Sequence, residues 1–354
     1  MTFNDNFNSI TLPYLMKKVV ETINKTNVFA SLILATAKPW KGRTLDRSIQ
    51  ISAPTTGGSF SGLDTFQTVK SNTKVRMSYD LRAEYQSIVV EGLERDVAGV
   101  DSNAAVDYVA EIMEEAGSAL AQRLGTKFYG DGTGNGSKDI LGLKAVVDDG
   151  STVAVLGGLN RQTTYTTLQS YKASPGVGLV SLAPIYTALN ATEVYSNEIG
   201  KKVILTTRAL WNNIESLMAP TIVSNVQADG YKVMTRNGSS LANRDGLKGE
   251  QGFNALYLRG VPVIADEKCT TNYLYILDMD YLNWFGIKEA PDGYRNIMVG
   301  GNSEIEGNEP AKSIGAIFTN FIKPINQYGE VGHIIVRGNM VTFNPNRHGV
   351  IIYT

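Results

Sequence analysis

One stretch constrains this chain more than any other: a long helical pattern that ends abruptly in glycine. Val106, Val109, Met113, Ala116, Leu120 and Leu124 recur at steps of three and four, which keeps one helix face apolar. Asp107, Glu111, Glu114, Ser118 and Gln122 fall on the wet side. Asp101, Ser102 and Asn103 stand just ahead, where short polar side chains cap free N–H groups. The pattern predicts a helix over 104–128, roughly 35–40 Å long at about 1.5 Å per residue. Globular helices average only about 11–12 residues. Tyr129-Gly130-Asp131-Gly132-Thr133-Gly134-Asn135-Gly136 then stops the helix, because alternate glycines disfavour its continuation. The chain restarts as Gly142-Leu143-Lys144-Ala145-Val146-Val147. Such a junction makes poor sense as an active site and good sense as the end of a mechanical strut.

With 354 residues, of which 43% are hydrophobic, the chain can bury a large core and divide into two or more regions. No apolar run approaches the ~20 residues that span a bilayer. Met1-Thr2-Phe3-Asn4-Asp5-Asn6 lacks the basic start and apolar run of a signal peptide. One cysteine, Cys269, excludes an intrachain disulfide, which suits synthesis in a reducing cytoplasm. The formal net charge of −1, with Lys and Arg scattered, gives no basic excess of the kind that grips nucleic acid.

Residues 1–44 mix Asn and Thr with apolar patches, Val28-Phe29 and Leu32-Ile33-Leu34, and are expected to form an arm that finds its burial elsewhere. From Leu45 the period changes to two. Leu45, Arg47, Ile49 and Ile51 point one way, and Val75, Met77 and Tyr79 alternate with Lys74, Arg76, Ser78 and Asp80. Thr55, Gly57, Gly58, Phe60 and Phe66 lie between the two runs. This predicts a two-stranded hairpin over 45–80. A lone hairpin is marginal in water, so it is expected to lie across a neighbour, the alternative being its own domain. Residues 141–172, rich in Thr and Tyr, are expected to be strand-rich. Pro175-Gly176-Val177-Gly178 marks a boundary. A helix is expected from Pro184 to Ile199, capped by Gly200, then a buried strand at Lys201–Thr206 and a second helix at Arg208–Met218. Exposed loops are expected at 219–252 and 288–310.

The helix, the Tyr-Gly-Asp-Gly-Thr turn and the following Gly142-Leu143 resemble the major capsid proteins of tailed bacteriophages with the HK97 fold. Two more stretches agree in order: Tyr257-Leu258-Arg259-Gly260-Val261-Pro262-Val263-Ile264-Ala265-Asp266 with Tyr273–Asp278 and Tyr281-Leu282, and the closing Gly332–Met340. The resemblance implies an α+β, HK97-like fold. Its expected parts are an N-terminal arm (1–44), an E-loop hairpin (45–80), a peripheral domain (81–174) with the spine helix 104–128, a mixed α/β axial domain (175–314), and a return to the peripheral domain (315–354). It also implies a non-enzymatic virion protein, made in the host cytoplasm. Self-assembly into hexamers and pentamers would close an icosahedral head around double-stranded DNA, with no sequence-specific contact to it. The implied partners are a portal and separate scaffolding or decoration proteins, with no membrane. The tip residues Thr55, Gly57, Gly58, Phe60 and Phe66 would contact the next subunit, and Gly130, Asp131, Gly132 and Gly134 would be a structural turn. An encapsulin-like compartment, which shares the fold, and a soluble enzyme using the glycine-rich turn at 130–136 stay open at this point.

The same residues admit several chemical readings. Asp131, Thr133, Asn135, Gly136, Ser137 and Asp139 fall at the positions of a calcium loop, but Gly142 stands where the bidentate Glu belongs. A phosphate cradle would lie between strand and helix, whereas this turn follows a helix and lacks Gly-Lys-Ser/Thr. His333 and His348 have no partner at a metal-binding spacing. No Gly-x-Ser-x-Gly elbow exists for a soluble hydrolase. Glu114-Glu115 and Asp148-Asp149 are expected on a solvated surface. The resemblance adds one reaction found in some family members, an isopeptide bond between a hairpin Lys (Lys70 or Lys74) and an Asn (Asn339, Asn344 or Asn346) of a neighbour. No metal or other cofactor is expected.

Overall fold

The computed structural model describes residues 27–66, 68–98, 102–176, 178–193, 201–229, 255–287, 295–299 and 312–354. In chain order it opens with helix α1 (Val28–Ala35), strand β1 (Lys38–Pro39) and the hairpin strands β2 (Thr44–Gln50) and β3 (Lys74–Asp80). Strand β4 (Arg82–Glu91), helix α2 (Gly92–Ala98) and the long helix α3 (Ser102–Phe128) follow. After the glycine turn come β5 (Val155–Leu156), β6 (Leu159–Asn160), β7 (Tyr171–Ala173), helix α4 (Ala183–Glu193), β8 (Lys202–Thr206) and helix α5 (Arg208–Asp229). The rest is strand: β9 (Ala255–Leu258), β10 (Val261–Ala265), β11 (Tyr273–Asp278), β12 (Leu282–Gly286), β13 (Arg295–Val299), β14 (Lys312–Phe318), β15 (Gly329–Thr342) and β16 (Gly349–Ile352).

Two six-stranded sheets carry the molecule. In the first, β15 is the axis: β4 pairs along its first ten residues, and β14 and β12 pair along its other edge. The second has the order β7-β16-β11-β8-β10-β9. Its strands β8 and β11 are almost wholly buried and read as continuous apolar runs, as strands covered on both faces must. Pairing does not follow the division expected at 314/315. Strands β12 and β13 join the first sheet, and β16 crosses into the second.

Helix α3 has the predicted length. Val109, Met113, Ala116, Leu120 and Leu124 are buried, with Met113 and Leu120 fully so, while Glu111, Glu114 and Gln122 are exposed. The stripe shares one core with Ile88 and Val90 of β4, Ile334, Val336 and Met340 of β15, and Ile140, Leu143 and Val146. Burial of a side chain such as Leu120 contributes about 1.5–3 kcal/mol.

Several expectations need correction. Residues 27–40 are core, not arm: Phe29, Ile33 and Leu34 are buried in the main cluster, and Phe29 N–H donates to Asp266 Oδ2 at 2.9 Å. Residues 1–26 of the expected arm lie outside the described residues. Helix α5 continues to Asp229 where a loop was expected, because Ile214, Met218, Ile222 and Val226 hold the four-residue spacing past Met218. Residues 194–199 of the expected helix, its cap Gly200 and most of the two expected loops lie outside the described residues.

The segment 141–172 holds little strand, since a buried cation takes over the work of a ladder. Arg161, fully buried, donates from Nη2 to Ala145 O at 2.6 Å, from Nη1 to Val146 O at 3.1 Å and from Nε to Val153 O at 3.0 Å. Asp148 does the converse. Its Oδ2 accepts from the amides of Gly150, Thr152 and Val153 at 2.9–3.0 Å, and its Oδ1 from Lys172 Nζ at 2.7 Å. Buried backbone groups must be paired, and here side chains pair them. Burial pushes the Asp148 carboxyl up, but Lys172 and the amides of Val153 and Thr152 outweigh it and hold the carboxyl at about 2. Asp148 is therefore a buried anchor and not the solvated carboxylate expected.

Candidate functional site

The hairpin divides into a fixed root and a bare tip. Strands β2 and β3 pair in register from Thr44 with Asp80 to Gln50 with Lys74. Their inner face, Ile49, Met77 and Tyr79, is buried against Leu156, Leu168 and Val341 of the same chain. Tyr79 Oη donates to Thr342 O at 2.5 Å, Ser78 N–H to Gly157 O at 2.9 Å, and the Arg47 guanidinium lies 5.1 Å from the Phe343 ring centroid. The root thus buries itself at home, which corrects the expectation that the whole apolar pattern awaits a neighbour.

Past Gln50 the ladder ends. Thr55, Gly57 and Gly58 are exposed, and a Cβ on either glycine would meet nothing within 4 Å. Phe60 is 67% exposed and Phe66 71%, though their rings meet edge to face at 5.2 Å between centroids. Leu63 and Val69 are exposed beside them. Ser61 N–H donates to Asp64 Oδ2 at 2.7 Å and shapes the tip locally. Four large apolar side chains on one projecting loop form the kind of surface that marks an interaction site.

The glycine turn is tight for steric reasons. A Cβ at Gly130 would sit 3.2 Å from Lys127 O, and one at Gly142 would sit 2.5 Å from Gly130 O. Gly132 has φ +73° with Leu141 and Arg82 pressed against it, so a side chain is excluded twice over. A Cβ at Gly134 would run into the Asp139 carboxylate. Asp131 Oδ1 accepts from Thr133 N–H at 3.0 Å and Thr133 Oγ1–H at 2.8 Å, which lowers its pKa from the ordinary value. Arg82 Nη1 donates to Gly132 O at 2.7 Å and also to Asp139 O, and Lys127 Nζ pairs with the Asp139 carboxylate. The candidate calcium ligands Asp131 and Asp139 are thus spent on Thr133 and Lys127. Among the described residues no group of three His, Cys, Asp or Glu side chains could hold a metal ion.

Two buried side chains hold structural roles that the sequence did not show. His348 lies between the sheets: its Nδ1 accepts from Asp278 N–H at 3.2 Å, so Nε2 carries the proton and donates to Thr342 Oγ1 at 3.2 Å. Burial and the Lys202 ammonium push the imidazole down to about 3, which keeps it neutral. Asp266 Oδ2 accepts from Tyr129 Oη at 3.0 Å as well as from Phe29 N–H, tying α1 and the end of the spine helix to the second sheet. A lone Asp or His after a strand carries no periodicity, so pattern reading passes over it. Asn339, a candidate for cross-linking, is fully buried with its amide engaged by Leu141 N–H, Met340 N–H and Asp80 O.

No family model matches this chain, and no curated protein does. Among solved structures, the cyanophage A-1(L) capsid asymmetric unit superposes with a TM-score of 0.65 at 15% identity, covering 92% of each chain. The fold is that of a phage capsid subunit. The capsid of an empty GTA particle gives a TM-score of 0.50 at 8% identity over 90% of this chain and 87% of that one. An encapsulin from Synechococcus elongatus gives 0.48 at 11% identity over 89% and 84%. Among the described residues no helix is long and apolar enough to cross a membrane.

Proposed function

We propose that this chain is the major capsid protein of a tailed phage, a structural shell subunit without catalytic activity. It forms hexamers and pentamers that close an icosahedral head around double-stranded DNA. Portal and separate scaffolding or decoration proteins complete the virion. The peripheral domain holds β4, α3 and the first sheet, and the axial domain holds the second sheet with α4 and α5. The observation that carries this reading is the hairpin: its root is anchored on its own chain, while Phe60, Leu63, Phe66 and Val69 stand bare at the tip. On an interface these residues gain the burial that a lone subunit denies them. The turn at Gly130–Gly134 is architectural and sets where the spine helix ends.

Size-exclusion chromatography with light scattering, followed by negative-stain imaging, tests the reading. Capsomers or closed shells are expected, and a monodisperse monomer under every salt and crowding condition defeats it. Shells filled with DNA in the phage context support a head, whereas shells carrying cargo protein would make the chain an encapsulin. Deleting Thr55–Phe66 should leave a folded subunit that assembles poorly. Normal shells from that deletion would remove the tip from the assembly mechanism.

A further inference from the structure

The outer part of the glycine turn holds a chemistry that its architectural role does not use. Residues 133–138 are all exposed, while Gly132 and Asp139 on either side are buried. Within this stretch three successive residues are left-handed: Asn135 at φ 53° and ψ 40°, Gly136 at φ 67° and Ser137 at φ 64°. Asn visits this region singly and Ser rarely, because Cβ crowds the following carbonyl, so the run is strained at the two members that carry side chains. Such strain persists only where the surroundings impose it. Arg82 on the carbonyls of Gly132 and Asp139, and Lys127 on the Asp139 carboxylate, pin the two ends. Between them Ser137 N–H donates to Thr133 O at 3.0 Å and Asp139 N–H to Gly134 O at 3.4 Å.

Asn135 is the only asparagine among the described residues that glycine follows; a second pair, Asn237-Gly238, lies outside them. A Cβ at Gly136 would meet nothing within 4 Å. With no side chain of its own and no neighbour over it, Gly136 leaves its amide nitrogen open to the carboxamide that precedes it. Other asparagines are placed differently. Asn283 and Asn339 are buried in strands and are followed by Trp284 and Met340, whose side chains hinder such an approach. Asn344 precedes Pro345, which has no N–H.

We propose that Asn135-Gly136 is a self-modification site, at which the chain converts its own asparagine to aspartate and isoaspartate. The Gly136 amide nitrogen attacks Asn135 Cγ and loses its proton, and the side-chain nitrogen takes up that proton and leaves as ammonia. Water then opens the cyclic succinimide. Attack at the side-chain carbonyl gives aspartate, and attack at the main-chain carbonyl gives isoaspartate, in which the backbone runs through the former side chain. Ammonia leaves, water enters, and nothing is oxidised or reduced. Ring closure turns ψ of Asn135 out of the left-handed region, so the strained run favours the step that a relaxed helix or strand would resist. The product adds a negative charge between Asp131 and Asp139. Isoaspartate also lengthens the main chain between the two pinned ends, which lets the run relax while the buried ties of Arg82 and Lys127 remain. Because ammonia escapes, the change runs one way and records the age of each molecule.

The test uses the full chain, kept folded for weeks at mildly alkaline pH and sampled at intervals. Trypsin releases the peptide Phe128–Lys138, in which Asn135 is the only amide side chain. Conversion therefore shows as the mass change of NH2 replaced by OH, split between two chromatographic isomers. Isomerisation of Asp131 leaves the mass unchanged and does not count. A synthetic peptide of the same sequence, incubated alongside, gives the rate of the unconstrained pair. The folded chain should react within about tenfold of that rate, because the turn is exposed and strained. Gly136→Ala should slow the folded chain by about tenfold or more, since a side chain hinders the attacking nitrogen. Asn135→Gln, whose longer side chain must close a larger ring, should lose the mass gain. A folded rate more than about tenfold below that of the peptide would show that the turn shields Asn135, and would overturn the inference. So would a Gly136→Ala chain that melts like the wild type and reacts as fast. Should that variant fail to fold, Asn135→Gln decides: a mass gain that persists in it would place the reaction elsewhere and overturn the proposal.

Discussion

Helix α3 and the segment that follows it bury comparable groups by opposite means. The helix repeats one rule for 27 residues: every fourth or third side chain is apolar, and the backbone satisfies itself. From Leu143 to Ala173 no such rule operates, and Arg161 and Asp148 bind carbonyls and amides that no neighbouring strand reaches. The difference predicts two kinds of fragility. A defect in the helix costs the groups removed, whereas a defect at Arg161 orphans everything the guanidinium was holding.

Arg161→Met tests the larger effect. It leaves the carbonyls of Ala145, Val146 and Val153 unpaired and takes a buried cation from the neighbourhood of Asp148, 3.6 Å away. A loss of about 3–5 kcal/mol in denaturant stability is expected. A loss under about 1 kcal/mol would show that water replaces the guanidinium, and the contrast between the regions would collapse. Leu120→Ala, at a fully buried position mid-helix, should cost about 3 kcal/mol, inside the range for such truncations. Acid comes next. The Asp148 carboxyl is depressed from 3.8 to about 2 in the folded chain. Its stabilisation is therefore complete above about pH 4 and is lost as pH falls toward 2, to a total of roughly 2 kcal/mol. Comparing wild type with Asp148→Asn isolates this window from that of His348, whose neutral folded form already loses stability as pH drops below about 6.5. A pH profile unchanged by the substitution would contradict the anchoring role. The smallest effect belongs to exposed Glu111→Gln, within about ±0.5 kcal/mol by thermal melting. If it matched Leu120→Ala, the helix would be facing the other way.

The same contrast explains what the sequence made legible. Helix α3, the hairpin strands and the buried strand at β8 announce themselves by period or by unbroken apolar runs. The turn announces itself as alternating glycines, and at Gly132 a φ of +73° with Leu141 and Arg82 close by gives one of them a steric reason. Residues 141–172 misled because Thr and Tyr favour strands only where partners exist, and here Arg161 and Asp148 took the partners' place. Residues 27–40 misled for a related reason. Short apolar patches such as Phe29 and Ile33-Leu34 do not say whose core they join, and the tie through Asp266 spans 237 positions. The tip of the hairpin carries Phe60 between Gly58 and Gly62, with Phe66 just beyond, but the anchorage of its root on Val341 and Leu156 is a tertiary fact with no local sign.

The place of β15 and β16 sets a timetable. Strands β4, β12 and β14 all pair with β15, and β16 lies between β7 and β11, so each sheet has a late segment of the chain near its middle. While a ribosome is still translating, residues 82–91 have no partner strand until position 329 and beyond has emerged, and β11 lacks one neighbour until position 352 has. Pairings that distant form slowly and leave apolar edges bare in the interval. A nascent chain of this design therefore carries its strut and its hairpin before it has the sheets that seat them. Both sheets are complete only once the last of these strands has emerged.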